Sequence, residues 1–234
     1  MKTIAGILLF LLSSWSAGAW AAECRCEYPD KATLEAAARS TIGDFLARAA
    51  EVGGPDADTL EVTVEATPQL IFIRFEDRTV TVPWWDDLPP PVHDLFSRVA
   101  GGEASGRRLF DLLFQQFLIP HEAAHWVQYR LGRYDGGSNY RHEADANRMA
   151  TAYWAGTDGG EAYLAELEAL LAVVVERVPD PTPAGIDPAE YFDTHYDTLA
   201  EDPMKYGYYQ FRFMLDAIRQ RDQLSLADLV LQPT

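Results

Sequence analysis

Leu109 to Gly132 reads LFDLLFQQFLIPHEAAHWVQYRLG, and inside it His121-Glu122-Ala123-Ala124-His125 spells HExxH. Residues four apart on a helix lie on one face, one turn above the other. His121 and His125 can therefore offer two imidazole nitrogens to one metal ion, with Glu122 beside them to hold a water. The helical context is present. Phe110, Leu113, Phe114, Phe117 and Leu118 fall at the spacing of a buried face, which Val127 and Leu131 continue. Pro120 lacks a backbone donor and clashes with the carbonyl four residues back. It predicts either a kink just before His121 or a new helix with Pro120 at its first position, both of which keep the two histidines on one turn. Gly132 and Gly136-Gly137 end the helix.

Upstream, Lys31 to Val52 is predicted as a helix with Leu34, Ala38, Ile42, Phe45 and Leu46 on one face, stopped by Gly53-Gly54-Pro55. Three strand-like runs follow: Leu60 to Ala66, Gln69 to Phe75 and Thr79 to Val82, the last ended by Pro83 as suits an edge strand. A short helix over Val92 to Val99 and a glycine-rich linker, Gly101 to Gly106, lead into the HExxH helix. Downstream, helices are expected over Arg141 to Trp154, residues 161 to 178, and Ala189 to Ala200. A further helix is capped by Asp202 with Pro203 first, and a last turn opens at Ser225 with Asp228. The fold class expected is α+β, mostly helical, with about six helices and a small three-stranded antiparallel sheet before the HExxH helix.

The chain has 234 residues and a formal charge of −17, which speaks against nucleic acid and anionic membranes as partners. Residues 1 to 21 carry Lys2, an apolar run from Ile4 to Leu12 and small-x-small cleavage sites near Ala19 and Ala21, the pattern of a secretory signal peptide. The run is too short to span a bilayer, so a protein exported to the periplasm or secreted, with no stable membrane insertion, is expected, with residues 22–234 as one domain. Cys24 and Cys26 open that mature chain; a bridge between them would close a tiny ring and stabilise little, and a ligand role or a pairing with another molecule stays open.

Two histidines leave a metal short of a third protein ligand. The segment Glu143-Ala144-Asp145-Ala146-Asn147-Arg148-Met149-Ala150 resembles the E-x-[DE]-A-[ND]-x-x-A signature that follows HExxH in ImmA/IrrE-type and related gluzincin peptidases. The collagenase-like class, with a third His six residues after the second, is excluded because Leu131 stands there. The resemblance covers about thirty residues. It implies zinc held by His121, His125 and Glu143, with Glu122 as general base and a zincin-like fold. His142 is the competing third ligand; adjacent to Glu143, it points about 100° away and cannot share the ion. Asn147 stands where much of the class has an Asp that accepts from a ligand His. Thermolysin-like members often draw an oxyanion donor from the C-terminal region, where His195, Tyr206, Tyr208 and Tyr209 are the candidates. The class also implies a substrate laid along an edge strand, for which Thr79 to Val82 is the candidate, with Trp84 and Trp85 either lining the cleft or packing under the helix. The function implied is an exported zinc endopeptidase acting on protein or peptide. An inactive metal-binding interaction protein and a zinc amidase acting on cell-wall peptide are the alternatives.

Overall fold

The computed structural model describes residues 27–134 and 136–232. Residues 1 to 21, expected to be a signal peptide, and Cys24 and Cys26 lie outside these residues. The element order is α1 (Lys31–Glu51), β1 (Glu61–Val64), β2 (Phe72–Arg74), β3 (Thr79–Val82), α2 (Pro90–Ala100), α3 (Glu103–Leu112), a π-helical turn (Leu113–Phe117) and α4 (Leu118–Arg130). Then come α5 (Asn139–Ala155), α6 (Gly160–Val175), α7 (Pro188–Thr194), α8 (Tyr196–Ala200), α9 (Pro203–Arg219) and α10 (Leu226–Leu231). Short elements bring the helices to ten among the described residues, against the six expected. Ala189 to Ala200 in particular breaks at His195 into α7 and α8. No helix among these residues is long and apolar enough to cross a membrane.

The fold is α+β, but the sheet is mixed rather than antiparallel. Its order is β1-β3-β2, with β1 and β3 parallel (Val62 opposite Val80) and β2 and β3 antiparallel (Ile73 opposite Val80). The third strand in sequence is therefore the central one. Its residues Thr79, Val80, Thr81 and Val82 are all β-branched and all buried, which suits a strand covered on both faces. β1 exposes Glu61 and Thr63 and stands at one edge. β2 stands at the other, so the strand with a free edge beside the HExxH helix is β2, not Thr79 to Val82.

α4 lies between two apolar clusters. Ile119, Ala123, Ala124, Trp126 and Val127 pack with α1, the sheet and part of α5. Leu118 and the π turn ahead of it pack with α2, α3, α6 and α9. Leu118 to Gln128 is buried on every side, the condition of a core helix without a solvent face. Pro120 is the third residue of α4 and neither starts a helix nor breaks one. The π turn directly before it widens the helix, which relieves the clash proline makes with a regular turn. The Tyr163 hydroxyl of α6 donates to the Leu112 carbonyl at the start of that turn across 2.8 Å. Gly106, read as linker, sits inside α3, because α2 and α3 approach so closely that a Cβ there would lie 2.6 Å from the Ser97 nitrogen.

Candidate metal centre

His121 and His125 stand on one face of α4, and α5 crosses that face with Glu143 in its first turns. Ser138 caps α5 by accepting from the Arg141 amide, which sets where the helix begins and so where Glu143 points. The three side chains are buried, at 3%, 4% and 4% exposure. His121 Nε2 and His125 Nε2 are 3.1 Å apart, and Glu143 Oε2 lies 3.3 Å from the first and 3.5 Å from the second. A tetrahedral ion with bonds of about 2.0–2.1 Å spaces its ligand atoms by about 3.3–3.4 Å. The three atoms thus form one face of a tetrahedron of the right size.

The donor chemistry agrees with that size. His125 Nδ1 donates to Gln128 Oε1 at 2.9 Å, and Gln128 Nε2 donates to the His142 carbonyl at 2.9 Å, which fixes the direction of the amide. In neutral His125 the proton is then on Nδ1, and the Nε2 lone pair faces Glu143 Oε2, an acceptor facing an acceptor. A cation between them resolves the conflict; so does a proton. Burial pushes the His125 imidazolium down, yet Glu143 and Glu122 outweigh it and hold its pKa at about 9. Burial also works against the Glu143 carboxylate, and the two histidines overcome it and hold the group well below its usual range. The cluster is built to keep positive charge at this point, and the described residues hold a buried His–His–Glu set able to bind a metal ion.

Both Glu143 oxygens have donors. The Tyr196 hydroxyl donates to Oε1 at 3.1 Å and Gln210 Nε2 donates to Oε2 at 2.7 Å. Gln210 Nε2 also reaches the Tyr206 hydroxyl at 3.0 Å. Asn147 does not touch a histidine. Its Nδ2 donates to the Glu143 carbonyl at 2.8 Å and to Gln210 Oε1 at 3.2 Å, so it acts on the carboxylate ligand through Gln210.

Glu122 is buried on the same helix and lines the same cavity. Burial raises its pKa, with His121 and His125 opposing, and the main-chain amide of Ile73 in β2 faces its carboxylate. The cavity has a volume of about 340 Å³. Its walls are β2 and the segment before it, α2, the π turn and α9, and they are mostly apolar: Leu95, Val99, Leu113, Phe114, Phe211 and Met214 among them. Among the described residues, no lysine or arginine lines it. Tyr134 closes one side, its ring edge-on to His125 and stacked on His142. Burial raises its pKa, and the nearby Glu143 and Glu122 raise it further.

Several candidate residues lie elsewhere. His195 is exposed at the α7–α8 break, its Nδ1 on the Tyr191 carbonyl at 2.9 Å, and does not reach the cavity; the next residue, Tyr196, does. Tyr206 lines the cavity, whereas the Tyr209 hydroxyl bonds Thr182 and Tyr208 pairs with Arg212 and Asp180. His142 bonds the Arg133 carbonyl at 2.9 Å through Nε2 and faces away from the three ligand atoms. Trp85 packs on His93, Phe96 and Phe110, and neither it nor Trp84 lines the cavity. Sequence reasoning missed Gln128, Tyr134, Tyr196 and Gln210. Only Gln128 carries a sequence signal, since it follows His125 by three residues and shares its helix face. Comparison with models of protein families, with curated proteins and with solved structures finds no match for the chain.

Proposed function

We propose that the chain is an exported zinc-dependent endopeptidase that cleaves peptide bonds next to bulky apolar side chains. The observation that carries this reading is the triangle of His121, His125 and Glu143 atoms with Glu122 beside it, opening onto one cavity. A two-nitrogen, one-carboxylate set with a free fourth position is the donor pattern of catalytic zinc. Bound zinc supplies a water of lowered pKa and polarises the carbonyl under attack. Glu122, buried on the same helix and lining the same cavity, would take the proton of a water held there and pass it to the leaving amine. The Tyr196 hydroxyl, whose single proton is now on Glu143 Oε1, would turn that proton to the oxyanion as it develops. The outer edge of β2 pairs with the substrate backbone. Export is read from residues 1 to 21 alone.

The cavity lining supports the substrate class. Apolar walls reward burial of an aliphatic or aromatic side chain, and among the described residues a substrate carboxylate finds no cation there. Cell-wall peptide, rich in carboxylates, fits this lining less well than an unfolded protein. The test is zinc content and casein hydrolysis by the mature protein. One zinc per chain is expected, lost or weakened in His121→Ala and Glu143→Ala. Glu122→Gln is expected to keep the zinc and lose the hydrolysis. No zinc after metal-replete purification, or hydrolysis that survives Glu122→Gln, would sink the reading.

A further inference from the structure

The two oxygens of Glu143 face different groups. Oε2 is the atom opposite both imidazole nitrogens, at 3.3 and 3.5 Å, and it also accepts from Gln210 Nε2 at 2.7 Å. Oε1 accepts from Tyr196 at 3.1 Å. The direction of the Gln210 amide is set by chemistry. A carboxylate only accepts, so the NH2 group faces Glu143 and Oε1 of Gln210 turns to Asn147. Asn147 can donate only through Nδ2, which also meets the Glu143 main-chain oxygen at 2.8 Å, so its orientation is set as well. Gln210 is buried, comes from α9 and stands 67 residues from the ligand it holds.

We propose that Gln210 is a positioning residue that confines Glu143 to a single metal-facing oxygen and so keeps the fourth position of the site open. The inference rests on the metal centre proposed above. A carboxylate can hold a cation through one oxygen or two, and a turn about its last bond interchanges these states. Donors on both oxygens, from α8 and α9, resist that turn. Removing the Gln210 amide takes the donor from Oε2, the metal-facing oxygen, while the Tyr196 and Tyr206 hydroxyls stay beside the carboxylate; less firmly held, the group can turn about its last bond and offer the ion both oxygens.

The experiment uses the full mature chain, wild type against Gln210→Met, which keeps the length of the side chain and removes the amide. Zinc affinity is measured by competition with a chelator, and the cobalt(II)-substituted proteins are compared by visible absorption. The expected result is a loss of affinity of about 10- to 100-fold, with a changed cobalt d–d spectrum as the second carboxylate oxygen enters the coordination shell. Wild-type affinity and spectrum in Gln210→Met would overturn the assignment while leaving the metal centre standing. A wild type that binds neither ion would sink the metal centre, and this assignment with it. Gln210→Ala serves as the second variant. Unfolding of both variants in metal-free solution, seen by circular dichroism, would give the amide to the core and likewise overturn the proposal.

Discussion

Gln128 Oε1 lies 2.9 Å from His125 Nδ1, and the same amide is anchored on the His142 carbonyl at 2.9 Å. One glutamine thus ties the second histidine of the HExxH helix to the helix that carries Glu143. The bond selects the tautomer whose Nε2 lone pair faces the other two ligand atoms. Gln128→Leu is expected to lower zinc affinity about tenfold or more, with the fold kept. Equal chelator competition by variant and wild type would rule that role out.

Tyr196→Phe is expected to weaken zinc binding, because the hydroxyl holds Glu143 Oε1, and, compared at saturating zinc, to lower kcat by about 10²-fold, the usual cost of one oxyanion donor. The KM for an unfolded-protein substrate should move little, because the hydroxyl acts on charge that appears only in the transition state. A variant that matches wild type in kcat would transfer the role to Tyr134 or Tyr206.

Asn147→Asp inserts the acid that the gluzincin resemblance leads one to expect, and here it should harm. Aspartate has no donor for the Glu143 carbonyl or for Gln210 Oε1, which Asn147 now meets at 2.8 and 3.2 Å. Two buried acceptors would face a buried carboxylate, at a cost of about 1–3 kcal/mol or more. Urea unfolding of the metal-free proteins reads the loss. A variant as stable as wild type would show that the amide donors contribute nothing.

Asp111 gives a pH signature. Burial lifts its carboxyl from the ordinary 3.8 to about 6, although Arg107 pairs with it at 2.9 Å and pulls the other way. The folded chain binds this proton more tightly than the unfolded chain. Its stabilising effect is therefore complete below pH 3.8 and is lost as pH rises through about 6. The loss amounts to about 3 kcal/mol at most. Asp111→Asn should flatten that fall and raise stability at pH 7, less about 1 kcal/mol for the lost pair with half-exposed Arg107. Parallel urea midpoints for both proteins from pH 4 to 7, with chelator present, would refute the assignment.

Leu95 projects from α2 into the apolar part of the cavity and is only half-buried. Leu95→Trp should fill that space. For peptides with Phe or Leu next to the cleaved bond, kcat/KM should fall about 10- to 100-fold, and much less for peptides with Ala there. Equal losses for both peptide sets would mean that the cavity does not choose the side chain.

Much of this was readable in the sequence where the controlling interactions are local. α1, β3, the Asp202–Pro203 start of α9 and the Ser225 cap lie where spacing and capping residues predict them. The clustering of His121, His125 and Glu143 follows from helix periodicity and a recognisable downstream segment. What escaped depends on distant partners. Strand alternation identifies strands and not their order, so nothing local shows β3 entering between β1 and β2. The choice between His195 and Tyr196 turns on a one-residue break between α7 and α8, which rotates the following side chains. Gln210 has no local mark at all, because its role exists only once α9 packs against α5.

The π turn at Leu113–Phe117 separates what the chain inherits as fixed from what it can vary. A π turn is a helix carrying one residue more than regular α geometry needs. Deleting one residue there would restore an ordinary helix and rotate α3 by about 100° relative to α4. All three ligand-bearing positions lie after the turn and would keep their mutual spacing. Leu113, Phe114 and the α2–α3 wall lie within or before it and would be re-aimed. Single-residue length changes in this turn are thus a route by which descendants of this gene could reshape the cavity without disturbing the His121–His125–Glu143 cluster.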